Sequence, residues 1–225
     1  MISTRKVYIH APFLKFGKKE YMEKLIYEGE VFFNTVQFYR NYENTEIGDP
    51  NEGISALLHL PNGKLWYAGK CIGEARNRVL KKNENINNKN LFCLYGIENQ
   101  NAINNTNEDN ELIIKLSQFT NFGTHCVLIN DIPSFTKRLL QKVFEKKLKL
   151  EHQLVYYYNP NSYNGPITPF MKDEKFSHQC EYRFLVHNTK NESIKFSIGN
   201  IEDIAHILLL NNELKIPIEI GKNGF

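Results

Sequence analysis

Cysteine is scarce in this chain, and its four copies (Cys71, Cys93, Cys126 and Cys180) are widely spaced with no C-x-x-C pair. Three of them sit inside apolar runs, which predicts reduced, mostly buried thiols and not a disulfide framework. No His/Cys cluster has zinc-ligand spacing, so no structural zinc or other metal site is expected. The chain also lacks G-x-x-x-x-G-K-[ST], G-x-G-x-x-G after a strand, and G-x-S-x-G. These absences disfavour P-loop nucleotide hydrolysis, Rossmann redox chemistry and α/β-hydrolase chemistry. Seven histidines form neither H-E-x-x-H nor H-x-H; His59, His125 and His187 lie in or beside strand-like runs and read as structural. No apolar run approaches about 18 residues and no h-region opens the chain, which predicts a soluble, cytoplasmic protein with no membrane partner. Excess charge is missing too. A net charge of +3 permits a nucleic-acid partner without announcing one.

What is present fits a globular protein. Of the 225 residues 41% are hydrophobic and 12% aromatic, enough for the core of one fairly large domain. In chain order, Lys6 to His10 reads as a strand, stopped by Ala11-Pro12. A helix follows from about Lys18 to Glu28, with Gly29 as its C′ residue. Val31 to Phe33 is a second strand, and Asn34-Thr35 starts a helix over Val36 to Tyr42. Ile54 to Leu60 and Lys64 to Ile72 read as a hairpin joined by Pro61-Asn62-Gly63. The Asn-rich stretches at 83–90 and 99–110 read as flexible loops. Leu91 to Tyr95 is a central strand and His125 to Ile129 another. An amphipathic helix runs from about Ser134 to Leu148 with a lysine-rich outer face. Gln153 to Tyr158 is a strand, and Ser193 to Ile198 is expected to pair with the strand of Gln179 to Val186. Asn200 with Asp203 resembles an N-cap pair opening a helix over Ile201 to Leu210, and Lys215 to Ile220 closes the sheet. No repeat or linker divides the chain. The expected class is a single α+β domain over 1–225, with a mixed or split antiparallel sheet and flanking helices.

Phe176 to Val186 is the stretch with most chemistry. Cys180, Tyr182, Phe184 and Val186 alternate with Gln179, Glu181 and Arg183, a period of two that predicts a strand with one buried face. Gln179, Glu181 and Arg183 then project together from the other face, about 7 Å apart, an amide, a carboxylate and a guanidinium on one rigid element. The plain alternative is a surface strand with a Glu/Arg ladder.

Three separated blocks carry a resemblance. They are the His10 strand, the run Tyr27 to Asn41 with the Gly48-Asp49-Pro50-Asn51-Glu52 loop after it, and the stretch from Met171-Lys172 through Arg183. Together they resemble a bacterial and phage family with an early aromatic/His strand, an Asn-Asp-Pro loop and a late Glu-Tyr/Trp-Arg strand. The same plan is similar to the nucleic-acid ADP-ribosyltransferase toxins of toxin–antitoxin and phage-defence systems. Gln179-x-Glu181 looks like the Gln-x-Glu pair of the arginine-specific branch, whose Ser-Thr-Ser strand motif this chain lacks.

The resemblance implies an ADP-ribosyltransferase-like fold and a cytoplasmic enzyme using NAD, with Glu181, Arg40 and Gln179 in catalysis and His10, Tyr39, Phe38 and Thr35 at the cofactor. Breaking the nicotinamide–ribose bond builds positive charge on the sugar, as in glycoside cleavage, and Glu181 would face that charge. Arg40 would pair with the pyrophosphate or orient the acceptor. Gln179 would reach the acceptor, and Tyr39 or Phe38 would stack on nicotinamide. His10 would hold a ribose hydroxyl. The acceptor would be nucleic acid or protein, with an antitoxin as a further partner. Two alternatives stand beside this one: a non-catalytic binding module of the same fold, and a metal-dependent nuclease using Asp173 and Glu181.

Overall fold

The computed structural model describes residues 12–217, apart from 44–46, 60–62, 76–78, 83–85, 87, 97–106, 109–110, 189 and 211–212. In chain order the strands are β1 (Phe13–Gly17), β2 (Glu30–Thr35), β3 (Ile54–Leu58), β4 (Gly63–Tyr67), β5 (Lys70–Ala75) and β6 (Val79–Lys82). They continue with β7 (Lys89–Tyr95), β8 (Glu111–Lys115), β9 (His125–Ile129), β10 (Lys149–Leu154), β11 (Tyr156–Tyr158) and β12 (Gly165–Pro166). The last are β13 (Met171–Asp173), β14 (Glu181–His187), β15 (Ile194–Ser197), β16 (Ala205–Leu209) and β17 (Glu213–Pro217). Helices are few: α1 (Lys19–Glu23), running on as a π-helical turn over Lys24–Glu28, α2 (Val36–Asn41) and α3 (Ile132–Glu145). The expected α+β class with a mostly antiparallel sheet is what the chain forms, as a single domain.

The main sheet runs β10-β14-β7-β1-β9-β16, with β2 joined to β7 and β15 to β2. One edge of β7 pairs with β14 from Lys89↔His187 to Tyr95↔Glu181. The other edge is shared. β2 takes its start at Asn34↔Leu91 and Thr35↔Asn90, and β1 takes only its end at Leu14↔Tyr95. Between them the sheet opens. There the Cys93 carbonyl accepts from Lys15 Nζ at 2.8 Å, a side chain standing where a neighbouring strand's N–H would be.

One face of this sheet carries the large core. Phe92, Phe184, Val186 and Phe196 pack there against Phe135 and Leu139 of α3 and against Met22, Leu25 and Ile26 of the α1/π-helical segment. α3 is capped by Asp131, whose side chain accepts from Ser134 N, and Pro133 sits in its first turn. Gly29, with φ 61, ends the π-helical turn. A Cβ there would lie 2.0 Å from the Gly199 carbonyl oxygen, so only glycine fits. The opposite face carries two smaller clusters. One contains Leu14, Phe119 and Cys126, and the other Val36, Leu91 and Leu185.

Several local expectations are corrected. The hairpin signal at Pro61-Asn62-Gly63 does not join two paired strands: β3 pairs with β6, and β4 pairs with β5 around Ala68-Gly69. Ile201 to Leu210 is not a helix. Asn200 accepts from Glu202 N in a tight turn, and Ala205–Leu209 then pairs with β9 as an edge strand. Short apolar runs such as Ala-His-Ile-Leu-Leu do not distinguish strand from helix by period. Asp203 is engaged by Arg138 of α3. β15 pairs with β2 and not with β14. β17 pairs with β8 outside the main sheet. The strand expected over Gln153 to Tyr158 is divided between β10 and β11. Phe13–Gly17, read as neither strand nor helix, is β1. The expected strand Lys6 to His10 and most of the Asn-rich stretches lie outside the described residues; Lys89 and Asn90 open β7.

Candidate functional site

The alternation of the late stretch holds from Glu181 to Val186, whereas Gln179, expected on the strand, ends a 3-10 turn, and the polar side of the strand is not a surface. Arg183 is 1% exposed, Glu52 4% and Glu181 8%. Burying such groups is costly unless every charge is matched and hydrogen-bonded. Here they are matched. Arg183 donates through Nη1 and Nη2 to the two carboxylate oxygens of Glu52, both at 2.8 Å, and through Nε to Glu181 Oε2 at 2.7 Å. Its Nη1 also donates to the Pro169 carbonyl. Lys172 donates to the other oxygen of Glu181 at 2.5 Å and to Gln179 Oε1 at 2.7 Å. Two cations and two carboxylates make a neutral set, and the fork of Arg183 fixes its geometry.

Local structure places each member. Gln179 ends a 3-10 turn (Glu174–Gln179), and Cys180, with φ 40 and ψ 49, turns the chain into β14. Glu181 N donates to Tyr157 Oη at 2.8 Å, which fixes the start of that strand. Lys172 is the buried middle residue of β13, its ammonium 4.4 Å from the centre of the Phe176 ring. Glu52 belongs to the Gly48-Asp49-Pro50-Asn51-Glu52 loop. In that loop Asp49 Oδ1 accepts from Asn51 N, and Asp49 N donates to the Tyr39 carbonyl. Gly53 closes it with φ 70, where a Cβ would meet Ile86 at 2.6 Å and Val36 at 2.7 Å.

Above this set lies a pocket of about 250 Å³ between the two smaller clusters. Glu181, Arg183, Gln179, Lys172, Glu52 and Lys15 are among its polar lining. Its aromatic lining includes Phe16, Phe38, Tyr39, Tyr42, Tyr95 and Phe119. Phe38 and Tyr42 are exposed at the rim, with their ring centres 4.9 Å apart. Few polar groups converging among aromatic walls are the usual make-up of a small-molecule site.

The electrostatics follow from burial and pairing. Burial would raise the Glu181 carboxyl, but Arg183 and then Lys172 outweigh it and hold it well below the usual carboxylate range. Glu181 is therefore a fixed negative charge at neutral pH, with acceptor capacity left on each oxygen, and not a proton donor. Burial pushes the Cys93 thiol up to about 12 and the Tyr39 hydroxyl well above its ordinary value. Burial lowers Lys15, with Cys93 and Glu181 opposing. Among the described residues Lys15 has no carboxylate within ion-pair distance, whereas Lys172 has Glu181 and Arg183 has both Glu52 and Glu181.

Four of the residues singled out from the sequence line this one pocket: Glu181, Gln179, Tyr39 and Phe38. Arg40 is not part of the lining. Its Nε donates to the Glu52 carbonyl at 2.5 Å and its Nη2 to the Gly53 carbonyl at 3.1 Å, so it anchors the loop that carries Glu52. Thr35 accepts from Phe38 N and caps α2. His10 lies outside the described residues. Asp173 caps its own 3-10 turn through Lys175 N. Among the described residues no group of three or more His, Cys, Asp or Glu converges as metal ligands. Sequence reading did not assign Glu52, Lys172 or Lys15 a role in the site, and it gave Arg183 only a place beside Gln179 and Glu181 on the polar side of the late strand. Glu52 and Lys172 had a signal, since both stand in the blocks that carry the resemblance; Lys15 had none. Compared with family models, curated proteins and solved structures, the chain finds no match in any of the three.

Proposed function

We propose that the pocket binds NAD and that the protein is an ADP-ribosyltransferase-like enzyme, both in fold and in activity, acting in the cytoplasm as a toxin or phage-defence effector. The observation that carries this reading is an ionised carboxylate, Glu181, held on the floor of an aromatic-walled pocket. Cleavage of the nicotinamide–ribose bond passes through an oxocarbenium-like state, and a fixed negative charge in a water-poor site stabilises it. A pocket of about 250 Å³ suits one ring-and-sugar unit, with the adenylate half lying across the rim at Phe38 and Tyr42. Tyr39 or Phe38 stacks on nicotinamide. Gln179, beside Glu181, would meet the acceptor, a nucleic acid or a protein. Lys15, which has no carboxylate within ion-pair distance among the described residues, supplies positive charge to the ligand. Arg40 acts one step back, by holding the Glu52 loop over Arg183.

One observation favours a second reading, a non-catalytic binding module of the same fold. Both Glu181 oxygens already hold a cation, which weakens the field that a substrate would meet. Incubation with labelled NAD and either cell lysate or nucleic acid separates the two. Transfer by the wild type, lost in Glu181→Gln and reduced in the rim variant Phe38→Ala, supports the enzyme. Saturable NAD binding with no transfer to any acceptor supports the module.

A further inference from the structure

The β4–β5 hairpin is a two-stranded sheet of its own. It turns at Ala68 and Gly69, with φ 48 and 77, the pair of positive values that a tight type I′ turn requires. Its end is not a core element left uncovered. Trp66, the single tryptophan of the chain, is 64% exposed and Tyr67 is 75% exposed.

Basic residues are dense in this stretch of the sequence. Residues 63–82 contain Lys64, Lys70, Arg76, Arg78, Lys81 and Lys82 against the single acid Glu74, a net of +5. The whole chain carries +3, so everything outside this stretch sums to −2. Within the stretch, Lys64, Lys70 and Glu74 stand on the hairpin itself, while Lys81 and Lys82 belong to β6, which pairs with β3 in another sheet. Arg76 and Arg78 lie outside the described residues, while Lys64 and Lys70 are exposed on the strands.

We propose that this ribbon binds single-stranded nucleic acid, with Trp66 and Tyr67 stacking on unpaired bases and Lys64 and Lys70 pairing with phosphates. The register supports this occupant over others. Trp66 stands opposite Cys71 and two residues from Lys64, and Tyr67 stands opposite Lys70. Each face of the ribbon thus carries one ring and one lysine, Trp66 with Lys64 and Tyr67 with Lys70, and Lys64 stands opposite Glu74. An element lying in a membrane surface separates apolar from charged faces, and the centres of protein interfaces are depleted of lysine. Exposed rings interleaved with lysines are how sequence-tolerant single-strand binders are built, because every base has a face to stack. As a binding surface the ribbon stands independently of the pocket. As the feature naming the acceptor class, it rests on the transferase reading.

The lone tryptophan makes the test direct. Short single-stranded RNA and DNA oligonucleotides are titrated into the protein without NAD while Trp66 emission is followed. Saturable quenching is expected, with affinity falling as salt rises. Lys64→Gln and Lys70→Gln should each lessen that salt slope by roughly 0.7. By anisotropy of a labelled oligonucleotide, Trp66→Ala or Tyr67→Ala should weaken binding by about 10- to 100-fold. These side chains are exposed, so the variants should keep the wild-type circular dichroism. The inference is overturned by absent quenching, by binding indifferent to all four substitutions, or by equal affinity for a duplex. Quenching by phosphatidylserine vesicles but not by oligonucleotides also overturns it. Because NAD is omitted, failure here leaves the pocket reading standing, and oligonucleotide binding without any NAD transfer leaves the ribbon standing alone.

Discussion

Along β14 two sets of side chains are equally hidden from water and held by opposite means. Phe184 and Val186 on one face are as buried as Arg183 on the other. The first pair packs with Phe92 and Phe135 in the large core, where each methylene removed costs a fraction of the whole and neighbours can relax. The second face works through Glu52, Arg183, Glu181 and Lys172, where each charge has no substitute for its partner. An apolar set of the same volume is often as stable as such a cluster, or more so. Stability alone therefore does not account for the charged face, and the pocket above it does.

Cutting one member from each face shows the contrast most strongly. Arg183→Met leaves two buried carboxylates without their shared cation and should cost about 3–5 kcal/mol. Phe184→Leu, at the neighbouring position on the apolar face, should cost less, about 1–2 kcal/mol. Urea denaturation of the two variants measures both, and equal losses would erase the distinction. Next in size is an effect on ligand and not on stability. Lys15→Met removes a lining cation that has no carboxylate within ion-pair distance among the described residues, and should weaken NAD binding roughly 10- to 100-fold, the worth of a charge-assisted hydrogen bond. Its folding stability should shift by less than about 1 kcal/mol, because the lost bond to Cys93 and the lost burial of charge offset each other.

The smallest effect is one of pH. The Glu181 carboxyl is held below its unfolded value, so its stabilising contribution is complete above the free carboxylate range near about 4.3. It is lost as pH falls through the depressed folded value. Thermal unfolding followed downward from about pH 5 should therefore show a steeper loss in the wild type than in Glu181→Gln. Parallel acid limbs would mean that Glu181 is not ionised in the folded protein.

These differences explain what the sequence made legible. The apolar side of β14 and the central strand β7 are local patterns, and α3 is marked by its period and its charged outer face. Glu181 and Arg183 stood out because alternation placed them on one side. Their burial was not readable, since the residue that covers Arg183 is Glu52, 131 positions earlier in the chain. Arg40 looked like a ligand-facing cation because a sequence does not show that the carbonyls of Glu52 and Gly53 already occupy two of its nitrogens. The Pro61-Asn62-Gly63 signal misled because a turn signal says that the chain bends and not which strands pair across the bend. Ala68-Gly69 is a weaker motif, yet it carries the two positive φ values.

Calorimetric titration of NAD into the wild type and Glu181→Gln at neutral pH, with circular dichroism confirming that both are folded, tests the central claim most directly. Saturable binding at one site in the wild type, weakened by loss of the carboxylate, is the expected result. Absence of any NAD-dependent heat in a folded wild-type protein would contradict it, leaving the charged face of β14 as a feature of architecture alone.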